Sequence, residues 1–339
     1  MYKERIELYK AFEQSRGSKV IVYVTGDRPG LETQIHPEVL DLLVSHLDII
    51  GTVPKISLYL YTRGGHTLAA WSIANLIRQY CDEFEVIIPS KAHSAGTLLS
   101  LGASTIVMTK QATLGPIDPS VNTPLNPAVP GASPNIRVPV SVEAINGFFE
   151  LAKKTGISSS SDLSTVLSTL AAHVHPLVLG EVYRTRSQIR MLGKRLLAQH
   201  MTENKKIEKI LSFLCSESGS HDFTIYRQEA KNELGLNVET PSNELYEIIK
   251  RIYDDIANEL QLTTPYNPEI LLSGQNQVIY YLERALVEST DGGSHKYVNE
   301  GQLQKQTVAV PDGIPQEVIQ DNRKYEGWKH EKLQIKFRH

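Results

Sequence analysis

Only two cysteines, Cys81 and Cys215, occur in 339 residues. That is too few for a disulfide scaffold or a four-cysteine metal site, and it suggests a reducing compartment. No stretch approaches the roughly 18 consecutive apolar residues of a bilayer-spanning helix. The N-terminal MYKERIELYKAFEQSRGSK is charged and helical in pattern, with no apolar h-region or cleavage site. A cytoplasmic location and no membrane partner are therefore expected. A formal net charge of −3 supplies no global attraction to nucleic acid. The Walker lysine and the GxGxxG spacing are both missing, so no nucleotide cofactor is expected. His173-Val174-His175 points its rings to different faces of a helix and has no Cys or carboxylate cluster beside it, which argues against zinc.

What is present is a soluble globular composition, 41% hydrophobic and 22% charged, suited to one large domain with an appendage or to two domains. Strand-like runs occur at Val20–Val24, Ile56–Tyr61, Phe84–Ile88 and Thr105–Met108. Helical patterns at Glu38–Asp48 and Leu68–Gln79 separate the first three. That alternation predicts an α/β fold with mainly parallel pairing. Pro119–Pro139 reads as a surface loop. Beyond it Ile145, Phe148, Phe149 and Ala152 share a helical face, Asp162 is the expected cap of a second helix, and Pro176 opens a third running to about Met201. After residue 216 the style changes. Asn243–Leu260 is amphipathic, Val278–Val287 is ambiguous between strand and helix, and from Asp291 the chain reads as an extended tail. The expected boundary therefore divides residues 1–215 from a mainly helical extension, 216–339.

The chemistry concentrates at two strand exits. Ser94, in PSKAHSAGT, stands where an apolar strand turns into a small-residue helix, placing its hydroxyl beside unsatisfied N–H groups that favour developing negative charge. The plainer alternative is a helix N-cap serine. Upstream, Ile56–Tyr61 ends in Thr62-Arg63-Gly64-Gly65-His66, where paired glycines let backbone N–H groups approach a ligand closely. A serine also needs a base within hydrogen-bond reach. His93 is adjacent in sequence, so its side chain is expected to diverge. His173, His175 and His221 read as structural histidines.

The runs YTRGGHTLAAWSIANLIRQY and IIPSKAHSAGTLLSLGASTIVMTKQATLGPIDPSV resemble the ClpP/SppA clan of serine peptidases, and among them the serine dehydrogenase proteinase family. The resemblance is strong over residues 18–122 and fainter to about 215. It implies a ClpP/crotonase-like core of repeated βα units, a nucleophile at Ser94, and oxyanion donors at the backbone N–H groups of Gly65 and Ala95. Asp118 falls near the place of the catalytic histidine of ClpP, where this chain has no histidine; it is a candidate to orient a base or to hydrogen-bond in the oligomer, and flanked by Pro116 and Pro119 it reads equally as a turn former. Lys153 and Lys154 occupy roughly the stretch where SppA-like enzymes supply a general-base lysine; their plainer reading is two exposed cations at a helix C-terminus before Gly156. The resemblance implies hydrolysis of peptide or protein substrates by a homo-oligomer, without a metal or other cofactor.

Two rival readings share the fold: a crotonase-type acyl-CoA enzyme, against which Ser94 argues, and a scaffold that has lost its base. Arg186, Arg190 and Lys194 share one helical face. A solvated face or subunit contact is a more frequent reason for such a row than nucleic-acid binding.

Overall fold

The apolar runs of the N-terminal third are long and unbroken because their strands are buried on both faces, as a covered parallel sheet requires. In the computed structural model, which describes residues 1–117, 120–129, 131, 133, 136–217, 220, 222–308 and 316–331, they form β1 (Lys19–Thr25), β2 (Val53–Tyr61), β3 (Cys81–Ile88) and β4 (Thr105–Met108). A two-residue strand, β5 (Val238–Glu239), pairs in parallel with β4. The C-terminal part adds β6 (Gln277–Ser289), β7 (Gly293–Val308) and β8 (Gln316–His330), giving one eight-stranded sheet in the order β5-β4-β3-β2-β1-β6-β7-β8. Strands β1 to β5 run parallel, whereas β6, β7 and β8 pair antiparallel outward from β1. The architecture is mixed α/β, built of repeated βα units as the sequence pattern predicts.

Helices α1 (Tyr2–Arg16), α2 (Val39–Ile50), α3 (Thr67–Ile77) and the short α4 (Ala95–Ser100) precede or link the parallel strands. Val20, Val22 and Val24 of β1 join one core cluster with Tyr9 and Phe12 of α1 and with Ile249, Ile252 and Ile256. Ile21 and Tyr23 alternate to the opposite face. A buried charge network ties the sheet's two ends of chain together. Arg5, with no exposed surface, binds Glu288 of β6 at 2.7 Å and also binds Asp255 and Glu259.

Contacts group the chain into two compact units, Met1–Thr113 with Asn237–His339, and Leu114–Leu236. The boundary drawn at 215/216 is not one of these division points. The second unit holds α5 (Val142–Lys154), α6 (Ser160–His173), α7 (Pro176–Leu197) and α8 (Asn204–Ser212). Its small apolar cluster includes Val121, Val140, Val142, Val178 and Val182. Asp162 is not the cap of α6: Ser159 Oγ accepts from Asp162 N–H at 3.2 Å, and Asp162 lies in the first turn. The serine is three residues upstream, the spacing a cap needs.

The C-terminal part keeps the expected amphipathic helix as α9 (Asn243–Glu259) and adds a short one, α10 (Pro268–Leu272). The stretch 278–287, ambiguous in sequence, is strand β6. A register shift between Glu283 and Ala285 changes the phase of its alternation, so neither helical nor strand period fits throughout. Most of the expected tail is β7 and β8. Strand β8 is an edge with little buried side chain, so its composition carries no apolar alternation.

Candidate active site

Two strand exits meet at Thr62 and Ala92, which form a parallel bridge. Thr62 N–H donates to Lys91 carbonyl at 3.1 Å, and His93 N–H donates to Thr62 carbonyl at 3.1 Å. This pairing carries the residues after β2 alongside those after β3 and so delivers Gly64 to Ser94. A Cβ on Gly64 would lie 2.8 Å from Ser94 Cβ and 3.3 Å from Ala95 N. The backbone there has φ +119, a region open to glycine and strained for other residues.

Ser94 has φ 52 and ψ −115, outside the ordinary allowed regions for an L-residue. It occupies the N-cap position of α4 but its side chain makes no capping bond. Among the described residues its Oγ meets no hydrogen-bond partner, and it is half-buried. The plain capping explanation therefore fails, and strain at a position of this kind is a pointer to function.

The glycine turn is braced from two sides. Thr62 Oγ1 accepts from Gly64 N–H at 3.0 Å and from Thr25 Oγ1 at 2.7 Å. On the other side Ile35 N–H donates to Gly64 carbonyl at 2.8 Å, and His66 N–H donates to Ile35 carbonyl at 2.9 Å. Gly65 packs so closely on this segment that a Cβ would lie 2.4 Å from Ile35 O. The N–H groups of Gly65 and Ala95 meet no acceptor among the described residues. Near the serine turn, Lys91 Nζ pairs with Asp27 at 2.8 Å, and Asp27 also accepts from Tyr61 hydroxyl at 2.7 Å. Burial, then the Asp27 charge, pushes the Tyr61 hydroxyl well above its usual range and keeps it a donor. Thr25, Ile35 and Asp27 were not marked by any periodicity or motif; only the tertiary fold brings them to the turn.

His93 turns its Nε2 to Thr113 Oγ1 at 2.9 Å, the divergence expected of adjacent side chains. Lys153 and Lys154 lie in the last turn of α5, in the second compact unit. Both are exposed, and Lys153 pairs with Glu150 at 2.8 Å. The desolvated setting expected of a lysine base does not surround them in this structure. His173 ends α6, and His175 caps α7 by accepting from Leu177 N–H at 3.2 Å. Asp118 and His221 lie outside the described residues. Of the basic row, Arg190 and Lys194 both bind Glu208, and Arg186 bonds Ser216 and Asn146.

A non-glycine residue at φ 52 beside a double-glycine turn is the geometry on which the sequence comparison bears. Residues 46–132 match the family of ClpP-like SDH-type serine proteinases. The matched segment contains both the glycine turn and the serine turn and ends before Lys153, so the resemblance drawn from those two motifs holds where the geometry is. Two relatives from Methanocaldococcus jannaschii are similar to this chain. Uncharacterized protein MJ0137 is 30% identical over 197 residues, covering 57% of this chain and 58% of that protein. Uncharacterized protein MJ1495 is 30% identical over 126 residues, covering 35% and 42%. The chain thus spans about half the length of these relatives. Among solved structures, a mutant of the membrane-bound stomatin-specific protease 1510-N aligns with TM-score 0.39 and 18% identity, over 68% of this chain and 85% of that one. A mutant of ClpP1 from Listeria monocytogenes aligns with TM-score 0.37 and 13% identity, over 70% and 99%. Among the described residues no single helix is long and apolar enough to cross a membrane.

Proposed function

We propose that this protein is a serine-type peptidase in which Ser94 forms an acyl-enzyme with its substrate. Ser94 Oγ adds to the scissile carbonyl carbon, and the carbonyl oxygen takes the negative charge between the N–H groups of Gly65 and Ala95. Collapse expels the amine, which leaves with a proton, and water then hydrolyses the ester on Ser94. The observation that carries this reading is the strained, uncapped Ser94 set against Gly64. The serine proteinase family match over the same residues supports it.

The base that takes the Ser94 proton is assigned, within the same proposal, to Lys153 or Lys154. For Lys153 this duty requires release from Glu150 and burial away from solvent. A homo-oligomer acting on peptides or proteins belongs to the proposal as well. In its support, α6 has no buried residue while carrying an apolar face that includes Leu167. The test is hydrolysis of casein and of fluorogenic peptides by the full chain. Ser94→Ala is expected to abolish turnover with an unchanged circular dichroism spectrum. Full activity in that variant would overturn the assignment, and an inert wild type would favour the scaffold reading.

A further inference from the structure

The segment entering α2 alternates. Leu31 and Ile35 are buried, whereas Glu32, Gln34 and His36 are exposed, so a polar row faces one side. With Glu38 that row lines a cleft of about 250 Å³, completed by Arg284, Tyr297 and Trp328 of the C-terminal strands. The volume lies below the roughly 300–1,000 Å³ of drug-sized sites and suits a single side chain.

The charge of the cleft is settled by what Arg284 already holds. Its guanidinium donates to Leu31 carbonyl at 2.9 Å, to Asn299 Oδ1 at 3.2 Å and to Glu32 carbonyl, and it pairs with Glu326 at 2.8 Å. That cation is neutralised and has few free donors for an anion. Glu32 and Glu38 leave the lining net negative. Tyr297 and Trp328 meet edge to face with centroids 5.5 Å apart; the Arg284 guanidinium already lies 5.7 Å from the centre of the Tyr297 ring, so Trp328 is the aromatic side of the cleft that offers its surface to a further cation. Trp328 Nε1 is buried and meets no acceptor among the described residues. The cleft also adjoins the proposed oxyanion turn. A Cβ on Gly65 would lie 3.0 Å from Gln34 Cβ, and Ile35, the next residue, is bonded to both Gly64 and His66.

We propose that this cleft binds the cationic side chain, lysine or arginine, of a peptide substrate, and so sets a preference for basic sequences. The proposal rests on the peptidase reading above, but its test does not use hydrolysis. Full-length Ser94→Ala protein is titrated with a blocked pentapeptide carrying one central lysine, and with its glutamate counterpart, while tryptophan fluorescence is followed. The lysine peptide is expected to give a saturable change that Trp328→Phe removes and that Glu32→Gln with Glu38→Gln weakens at least tenfold. Both glutamates are exposed, so their replacement spares the fold. No saturable change, an equal response to the glutamate peptide, or binding unaltered by the double substitution overturns the proposal. Lysine-peptide binding in a protein whose Ser94 proves inert would count against the peptidase reading and leave the cleft assignment standing.

Discussion

At Ser94 the backbone holds a conformation that costs a non-glycine residue about 1–3 kcal/mol, and no capping bond repays it. The bracing around Gly64 maintains it: Thr62 on one side and Ile35 on the other. Gly64→Ala would bring a methyl group to 2.8 Å from Ser94 Cβ in a backbone at φ +119. We expect it to lower stability by about 1–3 kcal/mol through overpacking. We also expect turnover to fall about 100-fold as the adjacent oxyanion donor shifts. Urea denaturation midpoints and steady-state kinetics measure the two effects; unchanged turnover would separate the glycine turn from the chemistry. This pair of turns was legible in the sequence because each requires a special residue, glycine for close approach and serine for its oxygen. The base was not legible. A lysine or histidine becomes a base through burial and neighbours, and those are tertiary properties that one chain of letters does not carry.

Among the elements, the parallel strands announced themselves as uninterrupted apolar runs, and α9 matched its sequence expectation to within a residue. The antiparallel addition at the C-terminus did not, because a bulge breaks β6 and an exposed edge frees β8 from apolar alternation. That addition is joined to α2 by histidines. His46 of α2 bonds Ser289 Oγ of β6 at 2.7 Å and His295 Nδ1 of β7 at 2.9 Å. Burial first, then His295 and His330, pushes His46 down to about 4. Because the folded value lies below the unfolded value near 6.5, the unfolded chain takes up the proton first. Stability is therefore full above about pH 6.5 and falls as pH drops toward 4, by at most about 3 kcal/mol from His46. Urea midpoints between pH 7 and 4 should decline more steeply in the wild type than in His46→Gln. Equal slopes would show that the buried imidazole is not the linked group.

Over the whole molecule, the first helix and the last strands are held together by ionic contacts as well as by the apolar core. Arg5 and Glu288 are both fully buried, and Lys296 of β7 extends the network to Glu283 at 2.9 Å. Removing one partner strands a charge away from water. Arg5→Met is expected to cost about 3–5 kcal/mol in urea denaturation, and a cost within about 0.5 kcal/mol, typical of surface changes, would mean that Glu288 finds another partner. Peptide hydrolysis by this protein depends on the oxygen of Ser94 acting as a nucleophile. Incubating the full chain with a fluorophosphonate probe and mapping the modified peptide by mass spectrometry asks that directly. We expect a single adduct on Ser94, missing in Ser94→Ala; a folded protein that stays unmodified, or carries the adduct on a different serine, would contradict it.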